Sequence, residues 1–188
     1  MKIYLIRHGK TEANERRCYC GSTDLSLSEA GRAELELLHY ELPNVHFITS
    51  GMKRANETLQ ILFGDVPFDV EPRFREVDFG VFEMHTYEEL KDRADYQAWI
   101  TGDNEANVPP QGESGRQMCL RVLEAFGEVK EDTCIVTHGG VIAAIMEHLF
   151  PEEGKSRYQW QPQNGGGYLI THEGYVAISG ADKKFRNF

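Results

Sequence analysis

Apolar residues fall along this chain in short unbroken runs and in stripes of helical period, and the two kinds alternate. Ile3, Tyr4, Leu5 and Ile6 form one such run, the pattern of a strand buried on both faces. It stops at Arg7-His8-Gly9, after which Thr11 and Asn14 open a helix. Ala30, Ala33, Leu37 and Leu38 recur at helical spacing, with Ser26 and Glu29 as a capping box before them and Pro43 as the stop. Residues 45–49 read as a second strand, and Ala55, Leu59 and Leu62 stripe the helix after it. Pro67 and Pro72 bracket a short extended piece at 68–70. A polar helix over 86–100 starts at a Thr86/Glu89 capping box, followed by a flexible acidic stretch over 101–110.

The second half repeats the opening theme. Met118, Val122 and Phe126 mark the buried side of a long helix. Residues 133–137 form another apolar strand that stops at His138-Gly139-Gly140, and 141–150 is an almost wholly apolar helix. Segments 167–171 and 175–179 alternate around His172-Glu173-Gly174, a hairpin signal. Residues 181–188 are basic and expected to fray.

Composition narrows the class. A length of 188 residues suits one core, and no repeat, low-complexity tract or linker divides it, so residues 1–188 are expected to form a single domain. The net charge of −10 and the absence of a lysine or arginine run argue against a nucleic-acid partner. Any phosphate site must then be a local basic island. No segment approaches the roughly 20 apolar residues of a membrane helix. The N-terminus runs directly into a strand without a leader pattern, so a cytoplasmic protein is expected. Of the four cysteines, Cys18 and Cys20 lack a second pair at metal-ligand spacing, and no metal is expected.

Two strands therefore each end in His-Gly with a helix beyond. In an open α/β sheet, ligands bind past the carboxyl ends of the strands. The amides that open the next helix face an anion there, and Gly9 permits close backbone approach. The pattern points to a phosphate site with histidine inside it.

R-H-G-x-T-x-x-N at Arg7, His8, Gly9, Thr11 and Asn14 resembles the signature of the histidine phosphatase superfamily, the phosphoglycerate-mutase-like enzymes. The likeness continues in G-x-x-D-x-x-L at Gly21, Asp24 and Leu27 and in S-x-x-x-R-A-x-x-T at Ser50, Arg54, Ala55 and Thr58. It extends to the run 74–83, with Glu76 at the proton donor's position, and to G-E-S at 112–114. The resemblance implies a three-layer α/β/α sandwich, a mostly parallel sheet with a C-terminal hairpin, and residues 71–115 as an insertion covering the active site. His8 would be the nucleophile, Arg7 and Arg54 the phosphate clamps, and His138 a further donor as an imidazolium. Glu76 would serve as acid and then base. Thr11, Asn14, Gly21 and Gly139 would complete the substrate-binding set, with no cofactor. Glu113 reads as a helix N-terminal carboxylate that reaches substrate, and His85 as the other histidine to follow because it lies in the covering insertion.

The function implied is hydrolysis of small-metabolite phosphomonoesters through phosphohistidine by a monomer or homodimer. In size and loop pattern the chain is similar to α-ribazole phosphatases and broad-specificity phosphatases. A phosphoglycerate mutase and a non-catalytic phosphate-binding protein are the alternatives. Lys10 stands where the family often has an acid, Phe82-Glu83-Met84 replaces Trp-Glu-Gly, and Cys20 replaces a common glutamine. These departures bear on pocket shape.

Overall fold

The computed structural model describes residues 1–42, 44–103 and 105–180. Pro43, the expected helix stop, Asn104 in the acidic stretch, and 181–188, the expected frayed tail, lie outside the described residues. The elements run β1 (Ile3–Arg7), α1 (Glu12–Arg16), α2 (Glu29–Glu36), β2 (His46–Thr49), α3 (Lys53–Phe63) and β3 (Asp69–Val70). They continue with α4 (Tyr87–Leu90), α5 (Ala94–Ile100), α6 (Gly115–Gly127), β4 (Thr133–Thr137), α7 (Gly139–Leu149), α8 (Arg157–Trp160), β5 (Gly167–Thr171) and β6 (Gly174–Ile178).

Among the described residues the strands form one sheet in the order β3-β2-β4-β1-β5-β6. The first four are mutually parallel, and β5 and β6 add an antiparallel hairpin beside β1. Alternation of side chains across each strand builds two cores. Ile3, Leu5 and Ile135 pack with Met118 and Val122 of α6, residues 141–146 of α7, and Trp160 of α8. Tyr4, Ile6, Cys134 and Val136 pack on the opposite face with Ala55 and Leu59 of α3. The result is the expected three-layer α/β/α arrangement. A third cluster joins Phe82, Leu90 and Tyr96 to Tyr19, Phe79 and Trp99.

Two expected helices differ. The cap of α2 is Ser28, not Ser26: its side chain accepts the Gly31 amide. The buried face is Gly31 and Leu35, while Ala30 and Ala33 face solvent and Leu37 is 83% exposed. A methyl group on Gly31 would lie 2.1 Å from the Lys10 carbonyl oxygen, so close backbone contact at glycine, rather than the alanines, sets the docked face. The helix expected over 86–100 keeps its Thr86/Glu89 box but breaks into α4 and α5. In one continuous helix Leu90 and Tyr96 would point roughly 120° apart. The break turns both into the third cluster.

Candidate active site

Arg7 and Thr137 are the last register pair of β1 and β4, so the next residue of each strand leaves the sheet beside the other. The His8 amide donates to the Thr137 carbonyl across 2.9 Å. The rings of His8 and His138 consequently meet edge to face, centroids 5.1 Å apart. His8 is 6% exposed and His138 has no exposed surface, so both histidines are buried.

Hydrogen bonds fix both tautomers. Nδ1 of His8 lies 2.6 Å from the Gly9 carbonyl, which can only accept, so Nδ1 carries the proton and Nε2 keeps its lone pair. Burial, then Arg54 and Arg7, hold its pKa well below the usual imidazole value. Around His8, the Gly9 amide donates to the Thr58 hydroxyl, and Asn164 Nδ2 donates to the His8 carbonyl. For His138 the pattern reverses. Arg54 Nε donates to Nδ1 at 3.3 Å, so Nε2 carries the proton and donates to Ser50 Oγ at 2.8 Å. Burial, then the charge of Arg54, drives this pKa down as well. The imidazolium is expected beside a bound phosphoryl dianion; the protein's own groups around the ring instead favour its neutral form.

The arginines differ in their commitments. Arg54 is buried at 1% exposure, and Nη1 and Nη2 donate to the carbonyls of Thr23 and Gly21 at 2.8 and 2.7 Å. With Nε on His138, three of a guanidinium's five donors are engaged by protein. Arg54 therefore organises the 21–23 loop as well as His138. Arg7 Nη1 donates to the Pro162 carbonyl at 2.8 Å, while its buried Nε has no acceptor among the described residues. Burial lowers the Arg7 pKa, and Glu76 partly offsets this. An unmatched buried donor costs about 1–3 kcal/mol, which favours an anion beside this guanidinium.

Glu76 comes from the loop after β3, and its two oxygens accept the amides of Val77 (3.0 Å) and Gly140 (2.9 Å). That places it at the start of α7. A cavity of about 320 Å³ opens here, with Arg7, Asn14, Glu76 and Gly140 among its lining residues. Asn14 Oδ1 accepts the Thr11 amide at 3.0 Å in a capping box, so Asn14 offers the cavity its remaining amide group. Thr11, 1% exposed, is used as the cap itself.

The two glycines expected to contact substrate also have packing roles. The Gly21 carbonyl accepts Arg54, and its amide donates to the Glu83 carboxylate. A methyl group on Gly139 would lie 3.2 Å from the Arg7 guanidinium, so that glycine makes room for Arg7. Glu113 lines the cavity but is paired with Arg121. His85 is on the surface, 3.9 Å from Glu89. Cys18 and Cys20 line the cavity as free thiols, and burial pushes the Cys20 thiol up. Among the described residues no group of three or more His, Cys, Asp or Glu is placed to hold a metal ion. No helix among them is long and apolar enough to cross a membrane.

Several contributors escaped the sequence reading. Ser50 and Thr58 were visible as the outer letters of the motif around Arg54, which gave them no role. Glu83 accepts the amides of Gly21, Ser22, Thr23 and Phe79 and so shapes the loop that Arg54 grips. Asn164 and Gln161 carry no pattern at all. They arrive from the segment before β5, near the site only in three dimensions.

A model of the histidine phosphatase superfamily (branch 1) matches residues 3–177. The chain is 31% identical over 178 residues to the adenosylcobalamin/alpha-ribazole phosphatase of Salmonella typhimurium, covering 88% of this chain and 87% of that one. It is 30% identical over 164 residues to a 2,3-bisphosphoglycerate-dependent phosphoglycerate mutase of Cytophaga hutchinsonii, covering 78% and 76%. A phosphoglycerate mutase structure from Thermus thermophilus superposes with a TM-score of 0.76 at 27% identity, covering 95% of this chain and 98% of that one.

Proposed function

This chain belongs to the histidine phosphatase superfamily, and we propose that within it the chain is a phosphomonoesterase that hydrolyses small-metabolite esters through a phosphohistidine. The observation that carries the reading is the His8 tautomer. With Nδ1–H on the Gly9 carbonyl, the Nε2 lone pair is free to attack phosphorus, and burial, then the neighbouring arginines, disfavour protonation of the ring.

In the first step His8 Nε2 forms a bond to phosphorus as the ester P–O bond breaks, and Glu76 gives its proton to the leaving alkoxide. In the second, Glu76 as carboxylate takes a proton from water, the water oxygen bonds to phosphorus, and the P–N bond breaks to release inorganic phosphate and free His8. Charge on the equatorial oxygens is met by Arg7 and the uncommitted donors of Arg54. Such stabilisation needs no metal. Asn14 adds a neutral donor, and residues 71–115 supply one wall of the cavity. The similarity to an alpha-ribazole phosphatase makes α-ribazole 5'-phosphate the first ester to try.

The test is a phosphate-release assay over a panel of phosphorylated metabolites, with wild type and His8→Ala. Release by wild type alone supports the reading. Conversion of 3-phosphoglycerate to its isomer without phosphate release would make the chain a mutase. Tight phosphate binding without turnover would make it a binding protein.

A further inference from the structure

We propose that Arg121 is a positioning residue for the reaction: it holds the Glu76 carboxylate at the start of α7, where its proton is transferred. The proposal rests on the phosphomonoesterase reading for its chemistry, but its structural basis is separate. Residues 75–79 belong to no helix or strand, so no ladder of hydrogen bonds fixes the backbone that carries Glu76. Arg121 reaches that backbone from α6. Nη1 donates to the carbonyls of Arg73 and Arg75, both at 2.7 Å, and Nη2 donates to that of Glu76 itself at 3.0 Å. Glu113 completes the brace. Its carboxylate accepts Arg121 Nε at 3.1 Å and also Nη2. The same carboxylate accepts the Asp78 amide at 3.3 Å, and the Glu113 amide donates to the Asp78 carbonyl at 3.0 Å. The backbone is thus gripped on both sides of Glu76.

The brace stands on a rigid base. Met118 and Val122, which flank Arg121 along α6, are buried in the same core as Ile135 of β4. From the end of β4, Thr137 Oγ1 donates to the Phe74 carbonyl at 2.7 Å. Glu76 is therefore tied to the strand that delivers His138. A guanidinium is planar and its donors point in fixed directions, so three carbonyls on one fork fix one another's positions. The amides of Val77 and Gly140 can orient the carboxylate only when that backbone is already in place. A misplacement of about 1 Å costs as much as 10²-fold in rate. Arg121 is absent from the described residues that line the cavity, so it acts through Glu76 and not on the ligand.

The experiment compares kcat/KM of the full chain on p-nitrophenyl phosphate and n-butyl phosphate. Butoxide must be protonated as it leaves, whereas p-nitrophenolate needs no general acid. The ratio of the first to the second therefore reports the acid, and the fraction of folded enzyme cancels from it. Glu76→Gln should raise the ratio by ~10²–10⁴. Arg121→Met should raise it by about 10². Arg121→Lys keeps the charge but loses the fork, so its ratio should fall between those of wild type and Arg121→Met. Where Glu76→Gln raises the ratio, a wild-type value in Arg121→Met would overturn the proposal. The same value in Arg121→Lys would do so if the methionine variant fails to fold.

Amide hydrogen exchange keeps this inference apart from the hydrolase reading. The Gly140 amide donates to Glu76 from α7, and the Gly9 amide donates to the Thr58 hydroxyl, which the brace does not touch. In Arg121→Met, or Arg121→Lys in its place, exchange at Gly140 should speed up about tenfold relative to Gly9, the worth of one hydrogen bond to a charged group. General loosening of the fold would speed both amides alike. If no ester turns over, or Glu76→Gln leaves the ratio unchanged, the acid role of Glu76 falls, and faster exchange at Gly140 alone upholds the positioning role of Arg121. Exchange at Gly140 that only keeps pace with Gly9 removes it.

Discussion

The Gly140 amide donates to one oxygen of Glu76 across 2.9 Å, and a methyl group on Gly140 would lie 2.4 Å from the other oxygen. Gly140 is thus the socket for this carboxylate. It has no positive φ, and it sits in a helix that alanine favours by up to about 1 kcal/mol. Gly140→Ala should therefore fold normally while pushing Glu76 out of place. We expect kcat to fall by ~10²–10⁴, as for loss of a general acid in Glu76→Gln. Steady-state kinetics beside a thermal melt checks this, and wild-type kcat in a folded Gly140→Ala would remove Glu76 from the mechanism.

Ser50 is fully buried, and its hydroxyl lies 2.8 Å from Nε2 of His138. Ser50→Ala leaves a buried N–H without its acceptor, at a cost of about 1–3 kcal/mol. The urea midpoint should fall accordingly with an unchanged slope. An unchanged midpoint would mean that the tautomer of His138 is fixed otherwise.

The neutral histidines give stability a pH dependence of definite sign. Burial and nearby arginines hold His8 and His138 well below the unfolded imidazole value. Below about pH 6.5 the unfolded chain takes up protons that the folded chain refuses, so stability rises with pH through this window. It is complete above about pH 6.5 and is lost as the pH falls, by at most about 1.4 kcal/mol per pH unit for each ring. Urea unfolding between pH 7 and 5.5 should show the slope, and His138→Gln should reduce it by up to one proton. The same slope in the variant would contradict the assignment.

The parts of the site that the sequence displayed are those carried by strand ends. An apolar run that stops at His-Gly says where the chain leaves the sheet, and two such runs pair as β1 and β4, with His8 and His138 side by side. The early-helix Arg54 followed by the same logic. What the sequence hid was partnership. Nothing in one dimension shows that the Arg54 guanidinium will find the carbonyls of Gly21 and Thr23, or that Glu83 will gather four amides to hold them there. The misplaced face of α2 has the same origin, since a glycine that docks by backbone contact leaves no apolar mark. The break between α4 and α5 came from an aromatic cluster whose members lie far apart along the chain.

Because two guanidiniums are assigned the charge neutralisation, chelation should matter little. Dialysis against EDTA is expected to leave kcat within roughly twofold, the scatter of a rate constant whose barrier is unchanged. A large loss restored by one divalent cation would contradict the assignment of that work to Arg7 and Arg54.

The most direct measurement is to mix Glu76→Gln with substrate, quench, and map phosphorylation by mass spectrometry under conditions that preserve phosphoramidates. With p-nitrophenyl phosphate, whose leaving group needs no general acid, the account predicts an acid-labile phosphoryl group on His8, accumulated because the second step lacks its base, and absent from a Glu76→Gln/His8→Ala double variant. A phosphoryl group on another residue, or undiminished turnover by His8→Ala with none on any histidine, would contradict it.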